Sequence, residues 1–248
     1  MVVLCVAVVL FNVWLYARNS TRRWFTEALP DVETIRKWTP EQLDRSLREL
    51  SRWDGFSNDQ FHRFVVHQVQ GLFVNANRSS SFTFLEAGVG VGAFARHFLS
   101  LYSNATGLGI DLEPPAIAIA EAVLPKERIA LAVADMRSIP APSASFDYVV
   151  VPGALCYLHS IYEVQTALAE FARVLRPHGA LCASMLADAT SNMGSCNVRI
   201  PRSLWRSRGF LPRPFWDRGM EAHEEAMDRW GLPHSLGRYS VCLRPKSS

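Results

Sequence analysis

The sequence predicts a doubly wound, Rossmann-like α/β sheet with helices on both faces, and three observations carry that prediction. Phe82 to Leu85 is a short run rich in aromatic residues, as a strand buried on both faces requires. It stops at the alternate glycines Gly88, Gly90 and Gly92, and a helical stripe of Val91, Phe94, Phe98 and Tyr102 begins at once. Further β-type runs then alternate with helical patterns over the next hundred or so positions, the order expected of a parallel sheet.

The chain has 248 residues, enough for one α/β domain and a short appendage. A hydrophobic content of 49% and a charged content of 20% are ordinary for a globular protein, and a net charge of +3 is too small to imply nucleic acid. Cys5, Cys156, Cys182, Cys196 and Cys242 show no paired spacing, so neither a disulfide framework nor a zinc site is expected.

Residues 1–17 are almost wholly apolar and are followed by Arg18, Arg22 and Arg23. As a helix the run spans roughly 25 Å, enough for a thin bilayer such as that of the endoplasmic reticulum, at about 27 Å. Trp14 and Tyr16 suit its interfacial end. A cleavable signal peptide is the rival, but a basic leading region is missing and Leu15-Tyr16-Ala17 is a poor cleavage site. A single-pass membrane anchor is therefore expected. Residues 18–80 read as linker and capping helices. Thr39-Pro40-Glu41-Gln42 is a capping box with proline at the first helical position, and Ser57 with Gln60 repeats the device. His62 and His67 are spaced so that they do not share a helix face.

Residues 81–248 form the main domain. Glycine allows positive φ and lacks Cβ, so a ligand can lie against the backbone at the turn after Leu85. Gly88, Gly90 and Ala93 also satisfy the dinucleotide fingerprint. Glu86 argues against that reading. A carboxylate two residues upstream repels a pyrophosphate and attracts a cationic amino-acid ligand. Glu86-x-Gly88-x-Gly90-x-Gly92 therefore resembles the first motif of the class I S-adenosylmethionine-dependent methyltransferases.

The downstream elements extend the likeness. Ala105 to Ile110 is a strand ending at Asp111, where an acidic group can accept bonds from both ribose hydroxyls. Pro114 and Pro115 open the next helix, so Asp111 also suits a capping role. Ile129 to Val133 leads into Ala134-Asp135-Met136. The resemblance implies that Asp135 meets the adenine amino group, that Met136 covers one adenine face and that Leu112 covers the other. Phe146 to Val151 is the fourth strand, and Pro152 opens a loop through Tyr157 and His159 that faces the methyl group in the resembled family. Ser160 and Glu163 cap a helix ending at Arg176-Pro177-His178-Gly179, before a strand from Ala180 to Met185. The family's usual turn has two glycines after proline. His178 stands in place of the first.

The likeness covers roughly residues 82–186. Beyond it, a helix from Met220 to Trp230 and a strand from Tyr239 to Leu243 fit the last elements of a seven-stranded methyltransferase sheet. The strand between them is shortened to Leu232 to Leu236. Residues 191–218 read as an insertion in which arginines alternate with Trp205, Phe210, Phe215 and Trp216. Such a segment suits an anionic membrane surface or a substrate cover better than RNA, given the anchor.

The expected function is methyl transfer from S-adenosylmethionine to a small-molecule or lipid acceptor, with no metal. Glu86, Gly88, Gly90, Gly92, Asp111, Leu112, Asp135, Met136 and Pro152 would hold the cofactor. Tyr157 and His159 are the candidate catalytic residues, with His159 a candidate base for an acceptor proton; the plainer alternative makes His159 a helix-start residue and Tyr157 a pocket wall. A nicotinamide-dependent oxidoreductase would use the same glycines but leaves Glu86 unexplained. A catalytically silent cofactor-binding scaffold would keep Asp111. The arginines after the apolar run place the domain on the cytosolic side of the membrane. Against this, Asn19-Ser20-Thr21, Asn77-Arg78-Ser79 and Asn104-Ala105-Thr106 are glycosylation sequons.

Overall fold

The computed structural model describes residues 29–50, 79–187, 197–198, 200–201, 204, 210–212 and 238–245. The apolar run at 1–17, the Ser57 capping box, the Met220 helix and the Leu232 strand lie outside these residues. Among the described residues, no helix is long and apolar enough to cross a membrane.

Among the described residues, two helices precede the sheet, α1 (Val32–Ile35) and α2 (Pro40–Leu50). The Thr39 capping box forms as its spacing predicts. Gln42 N–H donates to Thr39 Oγ1 at 3.3 Å, and Thr39 N–H donates to Gln42 Oε1 at 2.8 Å. Ile35 and Leu47 are buried with Val91, Ala116 and Ile119, which seats this lead-in on the main domain.

The sheet begins with β1 (Phe82–Ala87), followed by α3 (Ala93–Leu101), β2 (Ala105–Asp111), α4 (Pro114–Val123) and β3 (Ile129–Val133). After β4 (Phe146–Pro152) come a single 3-10 turn (Leu155–Tyr157), α5 (Ile161–Val174) and β5 (Leu175–Ala187). The strands lie in the order β3-β2-β1-β4-β5, all parallel. β7 (Arg238–Pro245) adds antiparallel to β5, and β6 (Phe210–Pro212) adds antiparallel to β7. Among the described residues, the strand beside β7 comes from the arginine-rich stretch that reads as an insertion. Its three residues are too few for an alternating pattern to register in sequence.

Parallel strands need crossovers, and the helices supply them while covering both faces. On one face Phe82, Phe84, Phe94, Phe98 and Tyr102 are buried together with Ile117 and Ile129. Phe98 stacks on Phe94 with centroids 5.5 Å apart and meets Phe84 edge-on at 4.9 Å. Such aromatic pairs contribute about 0.5–1.5 kcal/mol each beyond area burial. On the other face, Leu85, Ile110, Val149, Leu168 and Phe171 form the larger core. The Arg176–Gly179 segment is a bulge inside β5: Phe146 is opposite Leu175 and Tyr148 opposite Ala180.

At the amino ends of the strands, Asp147 Oδ2 accepts bonds from Thr83 N–H at 2.8 Å and Arg176 Nη1 at 2.6 Å, tying β1, β4 and β5 together. The carboxyl ends carry different chemistry.

Candidate active site

Glu86 lies near the end of β1, enclosed by the central strands and almost wholly buried. Its Oε2 is buried with no hydrogen-bond partner. Burial, and secondarily the nearby Asp111 carboxylate, pushes its pKa well above the ordinary carboxylate value. An unpartnered buried oxygen is costly, and such groups concentrate where a ligand supplies the missing bond.

The turn after Glu86 is built by glycine for two different reasons. Gly88 has φ +81°, and a Cβ there would stand 2.2 Å from Ala154 Cβ, on the loop after β4. Gly90 has φ +53° and open space where its Cβ would be, which leaves room for a ligand against the backbone. Gly92 differs from both. Its missing Cβ makes way for Leu124 and Ala120 at 2.9 and 3.3 Å, so this glycine serves the packing of α3 against α4.

Asp111 ends β2 and reaches back to the turn. Its Oδ2 accepts Gly90 N–H at 2.8 Å, and its Oδ1 accepts Glu113 N–H at 3.1 Å just before α4. Both oxygens therefore accept backbone N–H groups, one from the glycine turn and one from Glu113, the residue at the start of α4, which has no side-chain cap of its own. Burial raises its pKa, while the backbone bonds from Glu113, Gly90 and Leu112 oppose the rise. Leu112 is an exposed apolar side chain, and so is Val133, opposite Asp111 across the β2–β3 pairing. Val133 escapes sequence reading because it looks like the last residue of an ordinary strand.

Asp135 follows β3, but its carboxylate is not left open. Arg137 Nε bonds both its oxygens, at 3.0 and 2.9 Å, and Arg137 Nη1 reaches Glu163 Oε1 at 2.6 Å. The bonds from Arg137 hold the Asp135 pKa below its ordinary value. Met136 is partly buried and packs against the larger core.

The loop after β4 turns at Gly153, which has φ +78°, next to Pro152. Tyr157 is half-buried and His159 is exposed. Ser160 caps α5 by accepting Glu163 N–H at 3.2 Å, as expected. The returning half of the cap is displaced by one residue, because Glu163 Oε2 accepts the backbone N–H of His159 at 2.7 Å. Arg137 and Glu163 thus join the Asp135 turn to the loop carrying His159. Both arginine pairs are about a third exposed on the arginine side, so solvent screens them. Arg137→Met should lower stability by about 1 kcal/mol or less, and added salt should reduce the difference in urea denaturation.

One sequence expectation fails here: Cys156 is disulfide-bonded. Its carbonyl accepts Asn197 N–H at 2.8 Å and Val198 N–H at 3.2 Å, and Asn197 Nδ2 donates to the Tyr157 carbonyl at 2.7 Å. A pairing between distant positions leaves no local spacing to read.

The strand order, the glycine turn and the acidic strand ends can now be compared with known proteins. The model of a family described as a methyltransferase domain matches residues 85–183. Phosphoethanolamine N-methyltransferase 2 from Haemonchus contortus, solved with phosphomonomethylethanolamine and S-adenosylhomocysteine, superposes with a TM-score of 0.56 at 16% identity, over 85% of this chain and 61% of that one. The 1,6-didemethyltoxoflavin-N1-methyltransferase of Burkholderia thailandensis, with 1,6-didemethyltoxoflavin and S-adenosylhomocysteine bound, gives 0.54 at 19% identity, over 84% of this chain and 91% of that one. The fold is that of a class I methyltransferase. The cyclase SpnF has it too, with a TM-score of 0.56 at 18% identity over 75% of this chain and 81% of that one, so the methyltransferase fold does not by itself dictate methyl transfer. No curated protein sequence matches the chain.

The residues present fit S-adenosylmethionine as the cofactor of a methyltransferase domain. Glu86 has an unpartnered oxygen for an ammonium group, Gly90 leaves a cradle that any side chain would fill, and Asp111 presents a half-buried carboxylate beside it.

Proposed function

We propose that this chain transfers the methyl group of S-adenosylmethionine to a small or lipophilic acceptor. The observation that carries the reading is the buried Glu86 carboxylate beside the glycine turn, with one oxygen awaiting a donor. It suits the cationic amino-acid end of S-adenosylmethionine and repels a dinucleotide pyrophosphate, which disfavours a nicotinamide-dependent oxidoreductase.

S-adenosylmethionine supplies a methyl group already activated by its sulfonium leaving group. The protein's part is therefore mainly positioning and exclusion of water. Glu86 would hold the ammonium group and Asp111 the ribose hydroxyls. Asp135, braced by Arg137, would take the adenine amino group, between Leu112 and Met136. Pro152 would line the same edge. Tyr157 would form the wall on the acceptor side, and His159 would receive an acceptor proton where one must leave. The small acceptors bound by the Haemonchus and Burkholderia enzymes support a small-molecule substrate, and an apolar anchor at residues 1–17 would favour a lipophilic one.

The experiment is calorimetry with S-adenosylhomocysteine, followed by comparison of methylated metabolites from cells with and without the active protein. Tight NADH binding with none for S-adenosylhomocysteine would refute the reading. Cofactor binding without any methylated product would leave the cofactor site standing and make the chain a scaffold.

Glu86 also predicts a pH dependence. Its folded pKa is raised, so between the unfolded and folded values the native state keeps a proton that the unfolded chain has released. Stability of the ligand-free protein should therefore fall as pH rises through that window. Pairing with an ammonium group requires the carboxylate, so ligand binding expels the proton. Affinity for S-adenosylhomocysteine should rise with pH from the ordinary carboxylate value upward, and Glu86→Gln should flatten the profile. Calorimetry across a pH series measures both.

A further inference from the structure

We propose that this domain matures in an oxidising compartment that attaches N-linked glycans, and that Asn104 is the acceptor. Two independent observations point there. The first is the Cys156 disulfide, buried beside the loop that carries Tyr157. Disulfides persist in secretory compartments and are rare where glutathione and thioredoxin keep thiols reduced. The second is the sequon Asn104-Ala105-Thr106, whose two recognition residues are both exposed.

The geometry around Asn104 suits the modification. Asn104 sits in the turn between α3 and β2, and its Nδ2 donates one bond, to Ser79 O at 2.8 Å. A carboxamide has two N–H donors. Glycosylation forms one bond from Nδ2 to the anomeric carbon of a lipid pyrophosphate-linked oligosaccharide; the lipid pyrophosphate leaves and one amide proton is lost. The remaining N–H can still hold Ser79. The turn lies at the amino end of β2, while Asp111 lies at its carboxyl end. Seven residues of strand separate the two by roughly 20 Å, so a glycan would stand clear of the cofactor site.

Arginines after an apolar segment bias orientation, and that bias argues for the cytosol. A cystine speaks instead of the redox environment the finished domain inhabits. It outweighs a statistical preference in the flanking charge.

The test expresses the full chain in mammalian cells and compares its gel mobility before and after enzymatic removal of N-linked glycans. The expected result is a shift in the wild type and in Thr106→Ser that is larger by one glycan than in Asn104→Gln and Thr106→Val, with Asn77→Gln as background in every case so that the other sequon of the domain does not contribute. Thr106→Val retains the Asn104 bond to Ser79, so it separates loss of the sequon from damage to the turn. In denaturant, which exposes the buried sulfur, Cys156 should resist alkylation until the protein is reduced. Unchanged mobility of the wild type, a shift of undiminished size in both sequon variants, or alkylation of Cys156 in denaturant without reduction would each overturn the proposal.

Discussion

Gly88→Ala is expected to abolish measurable binding of S-adenosylhomocysteine and to destabilise the protein by about 2–5 kcal/mol. The new methyl group would meet Ala154 Cβ at 2.2 Å, and the backbone holds φ at +81°. Left-handed backbone costs a non-glycine residue roughly 1–2 kcal/mol, and overpacking typically adds about 1–3 kcal/mol. Relief can come only by separating the β1 turn from the loop after β4, which moves both halves of the site. Gly90→Ala provides the contrast. Its Cβ meets nothing within 4 Å, so the ligand-free protein should lose only about 1–2 kcal/mol while ligand affinity falls sharply. Thermal unfolding and calorimetry on the two variants separate the fold's need for glycine from the ligand's. The pair Gly88→Ala with Ala154→Gly should recover part of the stability lost by Gly88→Ala alone.

Asp111→Ala should weaken binding of S-adenosylhomocysteine by roughly 5- to 150-fold, the equivalent of about 1–3 kcal/mol for loss of a charged hydrogen-bond acceptor. Two effects act in the same direction. The ribose hydroxyls would lose the acceptor proposed for them, and Gly90 N–H loses the 2.8 Å bond that fixes the turn. Asp111→Asn keeps one carbonyl oxygen and should fall between wild type and alanine. Equal calorimetric affinities for wild type and Asp111→Ala would remove Asp111 from the cofactor site.

The parts of this site that sequence made legible are those with a local physical signature. β3 matches its expected bounds, Ile129–Val133, because a short apolar run between a helix and a turn has few other uses. The Gly88 turn is legible because few residues other than glycine adopt its φ, and the Thr39 cap because its two partners lie within one helical turn. The Arg137 bridge is not legible. It joins Asp135, two residues away, to Glu163, 26 residues away, and only the folded sheet makes them neighbours. The Cys156 disulfide fails for the same reason, and the three-residue β6 because it is too short for an alternating pattern to show. Gly92 reads like its neighbours in the motif, yet its missing side chain makes room for Leu124 rather than a ligand.

The tie made by Asp147 has a consequence for the order in which the chain assembles. Pairing β1 with β2 brings Phe82 opposite Ala105, whereas pairing β1 with β4 brings Phe84 opposite Tyr148. The second closure encloses nearly three times as many residues and costs roughly 1 kcal/mol more in chain entropy. The half bearing Glu86, Gly90, Asp111 and Asp135 therefore closes on more favourable terms than the half bearing Tyr157 and His159. Thr83 and Arg176 converging on Asp147 help offset the longer closure, at the edge of the sheet opposite the site. Only when β4 docks does Ala154 come to rest against Gly88, so the nascent chain can assemble the half that carries the glycine turn before the loop after β4 is in place.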